Sequence, residues 1–548
     1  LNNKLHTMKT IKYILTFTIL TSLFLGCSDL ELVEDPRADI AADNLYTDIA
    51  GFEVGLNGLY AQYRRERGGS NFGSGNDLMI DPAVTGTDNM FGNERSGWAR
   101  GGNELDARNT PFDARNRRLL NWLYEMNNAA NTLITRAKNP AIDWTAQEKN
   151  RIVGEARLLR AWIYRHLTFL YGDIPLQLEE SSGANVITDW VRTPIAEVRE
   201  AIEADLLFAE EHLPETSPNG GKVVKGVATH YLAELYLTLG RDGDAITKAE
   251  DLINNGPFSL ITERYGVRAN QPGTPFTDMF VDGNSNKSEG NTEVLWVMQH
   301  ELEVNGGGDN IMRRWHRGRS QDIRVDGISN TIIFSVENGG RGLERVSPTR
   351  YAMELYEDSD DRGGRFAWRD YEVLNNPDNV PSGRAIGDTI FFDWKGKDEK
   401  QRNNEWPSTR KWDYANPLDL AGSRSYNDQV YLRLAETYLI LAEAQMNTGN
   451  LGGAAISINK LRSRANASLI TAGDVDIDFI LDERSRELYS EEHRKYTLVR
   501  LGKWYERFQL YNKVGAPNGD DRHTLLPIPQ DAIDANGIPM AQNPGYEN

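Results

Sequence analysis

The sequence holds one cysteine, Cys27, among its 548 residues, which excludes a scaffold stapled by internal disulfides. Its eight histidines are scattered, so a zinc site has few ligands to draw on. Positive charge is also short. Lys and Arg total 61 against 80 Asp and Glu, and a net charge of −19 argues against a general nucleic-acid binder, with a local basic patch left open. Beyond the N-terminus no apolar run approaches the roughly 20 residues of a membrane-spanning helix. Standard catalytic signatures are missing too. G-x-S-x-G, HExxH, a P-loop ending in Lys-Ser/Thr and a complete EF-hand loop are all absent. No catalytic residue, resident metal or cofactor is therefore expected. With 26% charged and 9% aromatic residues, the chain has the composition of a folded protein rather than a disordered one.

The N-terminus reads as an address. Lys9 and Lys12 precede an apolar run over residues 13–25, followed by Gly26 and Cys27. A basic region, a short apolar region and a small residue describe a secretory signal over residues 1–26, with Met8 the expected start. Cys27 resembles the lipidated cysteine of bacterial lipoproteins. That pattern prefers a small residue two positions earlier, where this chain has Leu25. Residues 27–40, which include Asp29, Glu31, Glu34 and Asp35, would form an acidic tether similar to the surface-export signal of Bacteroidetes lipoproteins.

The body, residues 41–548, carries an internal repeat. Ala233-Glu234, five residues, Gly240, two residues, Gly243, one residue, Ala245 recurs as Ala442-Glu443, five residues, Gly449, two residues, Gly452, one residue, Ala454. Apolar residues at helical spacing flank both copies, so each reads as helix, Gly-containing turn, helix, in the manner of tetratricopeptide-like repeats. Further helices are predicted over 44–65, 117–138, 147–171, 194–213 and 477–501. Helical repeats thus occupy about 44–255 and 426–511. Between 256 and 425 Gly, Asn, Asp, Pro and Trp dominate, with strand-like runs at 292–299 and 331–336. This is a mostly α-helical body with a large loop-rich excursion, the kind of region that faces a ligand.

Seven motifs in order resemble the SusD/RagB family of outer-membrane nutrient-binding lipoproteins. They are Gly154-Glu155-Ala156-Arg157-Leu158-Leu159-Arg160-Ala161 running to Tyr171-Gly172-Asp173-Ile174-Pro175-Leu176, then Lys225-Gly226-Val227-Ala228, and Arg433-Leu434-Ala435-Glu436-Thr437-Tyr438-Leu439 with Ala442-Glu443-Ala444. Asn459-Lys460-Leu461-Arg462-Ser463-Arg464-Ala465 follows, then Asp482-Glu483-Arg484-Ser485-Arg486-Glu487-Leu488 with Glu491-Glu492-His493-Arg494. Leu526-Pro527-Ile528-Pro529 and Gln542-Asn543-Pro544-Gly545-Tyr546 close the pattern. The resemblance implies a single SusD-like helical body. It also implies capture of an oligo- or polysaccharide, often on aromatic platforms, and its delivery to a SusC-like TonB-dependent transporter at the outer membrane. A peptide-binding RagB-like protein, a repeat scaffold for protein partners and a secreted helical glycoside hydrolase are the alternatives.

Candidate glycan contacts come from aromatic residues outside helical periods, because a sugar's C–H face packs on an indole while amides and guanidinium groups meet its hydroxyls. Trp98, with Phe91, Asn93 and Arg95, lies in a Gly- and Asn-rich loop; Trp315 and His316 lie in the irregular middle. Trp296 reads as a core strand residue, Trp122, Trp162 and Trp504 as helix packing. Trp368, Trp394, Trp406 and Trp412 stay open. Glu483 and Glu487, flanked by Arg484 and Arg486, are expected on a solvated or salt-bridged face rather than as a catalytic pair. The acidic run Glu357-Asp358-Ser359-Asp360-Asp361 is expected to be a solvated loop, with calcium the lesser reading. Overall acidity favours a neutral glycan, whereas Arg313, Arg314, Arg317, Arg319 and Arg324 would suit a carboxylated or sulfated one, or equally pair with the chain's own acidic excess.

Overall fold

Helices begin where the sequence supplies caps. In the computed structural model, which describes residues 42–68, 80–93, 99–304, 306–401 and 404–547, a capping box starts the central helix. Thr145 accepts from the Glu148 amide at 3.2 Å while the Thr145 amide donates to the Glu148 carboxylate at 2.8 Å. This helix, α3 (Ala146–Tyr171), buries most of its length, including Trp162, Ile163 and Leu167. Before it come α1 (Ile49–Tyr63) and α2 (Ala114–Arg136); after it, α4 (Ile195–His212), α5 (Lys225–Thr238) and α6 (Asp242–Asn255). Each packs on the next.

The chain then leaves this stack over residues 256–433 and re-enters it. Helix α7 (Leu434–Asn447) packs directly on α6 and is followed by α8 (Leu451–Arg464) and α9 (Ile477–Leu488), both of which pack on α7. The two repeats found in the sequence are therefore neighbours in space. Their turns need glycine: Gly240 has φ +69° and Gly449 φ +80°, a region L-residues avoid. Helices α10 (Arg494–Arg500) and α11 (Trp504–Tyr511) complete the helical side. Asp48–Asn548 form one compact unit, with the short helix Ala42–Leu45 in the segment before it. No helix among the described residues is long and apolar enough to cross a membrane.

Strands are few and short. Strand β1 (Met90–Gly92) pairs antiparallel with β3 (Val346–Pro348), and β2 (Val294–Met298) with β8 (Gln429–Arg433). Strands β4 (Trp368–Arg369) and β7 (Ser408–Thr409) form a third ribbon, β5 (Tyr371–Val373) and β6 (Thr389–Phe391) a fourth. Strand β8 runs straight into α7, so the β2–β8 ribbon ties the excursion to the helical stack. Trp296 of β2, fully buried, stacks on Tyr63 of α1 at 4.3 Å between ring centres.

Two expectations are corrected. Residues 331–336 form no strand, because asparagine side chains take their backbone groups. Asn375 accepts from the Ile333 amide at 2.8 Å, and Asn338 donates to the Ile333 carbonyl at 2.6 Å. The helix predicted over 477–501 breaks after Leu488. Arg433 and Lys411 reach its end from other elements and donate to the carbonyls of Glu487 and Tyr489 at 2.7–3.1 Å. Ser490 then takes φ +64°.

Candidate functional site

Backbone hydrogen bonds lace three distant stretches of sequence into one loop-built face. Beside the β1–β3 ribbon, the Asn93 amide donates to the Arg345 carbonyl at 2.7 Å. On the other side of that segment, the Leu343 amide donates to the Arg314 carbonyl at 3.1 Å and the Glu344 amide to the Arg317 carbonyl at 2.9 Å. The end of α1 joins through the Ile311 amide, which donates to the Arg67 carbonyl at 3.1 Å. The stretch preceding Trp98 and the stretch around Trp315 thus border the same strip, residues 341–348.

The side chains nominated from sequence behave differently from platforms. Trp315 is 1% exposed and His316 5%, so neither presents a ring face to a ligand. That corrects the expectation for both. They sit on the short helix Met312–His316, which the loop segments cover, and His316 Nε2 lies 3.0 Å from Ser490 Oγ. Burial, then the charge of Arg67, pushes His316 down to about 3, so the ring is neutral. Phe91 is fully buried and Asn93 7% exposed, so these two also pack inside rather than present a platform. Trp98, Arg95 and Cys27 lie outside the described residues. Trp296, Trp122, Trp162 and Trp504 are buried as expected, and the four open cases, Trp368, Trp394, Trp406 and Trp412, are buried too.

The basic stretch divides by partner. Arg317 pairs with Glu372, both buried, and Arg319 pairs with Asp322 at 2.8 Å. Arg313, 1% exposed, donates through Nη2 to the Gly422 carbonyl at 2.6 Å, while its Nε and Nη1 meet no acceptor. Arg314 is half-buried, and its guanidinium is pushed down to about 10 by burial, then by Arg341, Arg345 and Arg313. Beside this strip a cavity of about 270 Å³ is lined by Arg268, Asp282, Phe366, Arg410, Tyr414 and neighbours. Sequence reasoning missed Arg341 and Arg345, although both sit in or beside the Gly339-Gly340-Arg341-Gly342 turn. It also missed Trp190, half-exposed at a cleft of about 570 Å³ with Tyr124, Asn128 and Gln177.

The candidate acid pair is spent on structure. Glu483 and Glu487 are fully buried. Glu483 bonds Arg362 at 2.7 Å and Arg462 at 2.9 Å, and Glu487 is held by Arg362, Arg433 and Arg464. Burial pushes the Glu483 carboxyl up, but Arg362, Arg486 and Arg462 outweigh it and hold the group below its ordinary range. This is a salt-bridged arrangement, inside the protein rather than on its face. The acidic run at 357–361 is likewise occupied: Glu357 accepts from Ser468, Asp360 from Arg362, Asp361 from Asn466. Glu66, His166 and His493 gather in a buried group, with Glu66 2.7 Å from His493 Nε2. Arg165 stands 3.1 Å from His493 Nδ1, and its charge, like that of Arg67, opposes a cation there.

Residues 80–237 match the family model described as "Starch-binding associating with outer membrane", and residues 393–546 match the "SusD family" model. A SusD-like protein, P2, from Formosa agariphila is 27% identical over 98% of this chain and 100% of its own length. The chain belongs to the SusD/RagB family. The starch-binding protein SusD of Bacteroides thetaiotaomicron is 40% identical over 119 residues, 21% of each chain. Among solved SusD-family folds, a SusD homolog from Bacteroides thetaiotaomicron aligns with TM-score 0.71 at 20% identity, covering 93% of this chain and 99% of that one. A laminarin-binding SusD-like protein gives TM-score 0.67 at 20% identity, covering 90% and 99%. The stack of helix pairs with an irregular excursion is thus the SusD-family architecture.

Proposed function

We propose that this chain is a cell-surface glycan-binding lipoprotein that captures an oligo- or polysaccharide and passes it to a SusC-like TonB-dependent transporter, without catalysis. The observation that carries this reading is the loop-built face of a SusD-family chain, where the strip 341–348 joins the stretch before Trp98 to the Met312–His316 helix. Such a face on a rigid helical stack is suited to a long ligand that must be held and released. Trp98 would supply the stacking platform and Arg95 a hydroxyl contact. Cys27 would carry the lipid anchor, with the protein facing the cell exterior. The non-catalytic part of the proposal is supported by the fate of Glu483 and Glu487, whose carboxylates face arginines and no cleft.

Electrophoresis of the purified protein through native gels containing neutral and anionic polysaccharides tests the reading, with reducing-sugar release measured alongside. Retardation by one glycan class, reduced by Trp98→Ala and without sugar release, is the expected result. Sugar release would make the protein a hydrolase. Retardation by none of the glycans, with binding to oligopeptides, would favour the RagB-like alternative.

A further inference from the structure

Arg314 and Arg341 stand together on the loop face without the carboxylate partners that Arg317, Arg319 and Arg369 have nearby. Neither makes a salt bridge among the described residues, whereas Arg317, Arg319 and Arg369 all do. The fold brings them together at a cost. The strip Gly339–Gly342 lies flush on the Met312–His316 helix: a Cβ on Gly340 would fall 2.5 Å from Arg313 Nη1, and one on Gly342 would fall 2.2 Å from the Arg317 carbonyl oxygen. Glycine at both positions lets the strip approach: the Leu343 amide donates to the Arg314 carbonyl at 3.1 Å, and the charge of Arg341, two residues earlier, acts on the Arg314 guanidinium. Arg345, from the same strip, adds a third charge. Beneath them Arg313, 1% exposed, keeps Nε and Nη1 without an acceptor.

Arg314 and Arg341 repel one another with no carboxylate bonded to either among the described residues, which does nothing for folding. Burial, then the charges of Arg341, Arg345 and Arg313, lowers Arg314 to about 10, and exposed Asp419 is the acid that acts back on it. In a chain with 80 acidic residues, pairing Arg314 and Arg341 would have been easy. We propose that Arg314 and Arg341 form an anion-recognition subsite, so that the captured glycan carries carboxylate or sulfate groups. This rests on the glycan-capture reading and names its substrate class.

Physical reasons support it. Half-buried guanidinium groups have already lost part of their water, and their planar N–H pairs match the oxygens of a carboxylate or sulfate. The net charge of −19 does not oppose this at close range. At physiological salt, charges more than about 8 Å away are largely screened, so the local cluster decides. Overall acidity favours a neutral glycan, and the proposed subsite weighs local geometry above it.

The test uses affinity gels with neutral, uronate-bearing and sulfated polysaccharides, and with the retarding polymer after carboxyl reduction or desulfation. Arg314→Gln, Arg341→Gln and, as control, Arg117→Gln are run in parallel. An anionic polymer should retard the protein, and removing its charged group should abolish the effect; which treatment does so identifies carboxylate or sulfate. Each subsite variant should weaken the apparent dissociation constant about tenfold, as expected for loss of a charged hydrogen bond, with Arg117→Gln unchanged. Thermal midpoints for Arg314→Gln should stay level or rise, since repulsion is relieved; a structural arginine would show a fall. Best retardation by a neutral glycan, or anionic binding untouched by both variants, would overturn the subsite while leaving glycan capture standing. Retardation by no glycan would instead remove the capture reading and the subsite with it.

Discussion

Arg362 donates through Nη1 to Glu483 at 2.7 Å and to Glu487 at 3.0 Å, and none of the three side chains reaches solvent. From this pair a buried network spreads through Arg433, Glu293, Arg464 and Glu491. It fastens α8 and α9 to the β2–β8 ribbon. Removing one partner leaves an uncompensated charge in a medium that solvates it poorly. Arg362→Met should therefore lower stability by about 3–5 kcal/mol. Arg117→Ala, which breaks an exposed pair with Asp531, should cost less than about 1 kcal/mol. Denaturant midpoints compare the two, and equal shifts would contradict the network's role.

Acid should unfold this protein early. Burial is the main cause that holds His166 and His493 well below their ordinary range, His230, His300 and His316 down at about 3, and His523 at about 4. Unfolded histidines titrate near 6.5. As pH falls from there towards 4, the unfolded chain binds protons that the native chain refuses, so stability drops. The slope reaches about 1.4 kcal/mol per pH unit for each histidine. The thermal midpoint should fall steeply between pH 7 and pH 5, and a flat profile across that range would sink the argument.

The two glycines of each repeat should respond in opposite directions. Gly240 and Gly449 hold positive φ with open space around them, so Gly240→Ala or Gly449→Ala costs backbone strain alone, about 1–2 kcal/mol. Gly243 and Gly452 sit in the first turns of α6 and α8, also with open space where a methyl group would go. There alanine should be neutral or stabilising by up to about 1 kcal/mol, because it restricts the unfolded chain. Paired melting curves check each repeat.

Trp315 separates packing from binding. With its ring enclosed, Trp315→Ala should cost about 3–5 kcal/mol through the cavity it leaves. At a temperature where the variant is still folded, its ligand affinity should change far less than that of Arg314→Gln. A variant of normal stability that had lost binding would restore Trp315 as a ligand contact.

The sequence by itself determined the helical stack, because helix formation is written locally: in apolar spacing, in caps such as Thr145 with Glu148, and in glycines at two equivalent turns. It also placed the strand around Trp296 and the family motifs. Tertiary structure alone decided which loop residues are buried and which are paired. Met312–His316 has no local signal that Trp315 and His316 will be covered, since the neighbours come from far along the chain: residues 341–348 on the helix backbone, Ser490 and Trp412 on His316. Likewise Glu483 and Glu487 look like any charged helix face until Arg362 and Arg433 arrive from far along the chain. Periodicity reports a residue's own element, whereas burial and charge pairing depend on partners distant in sequence. For the same reason the arginines left without carboxylates, Arg314 and Arg341, emerge only once every other partner has been assigned.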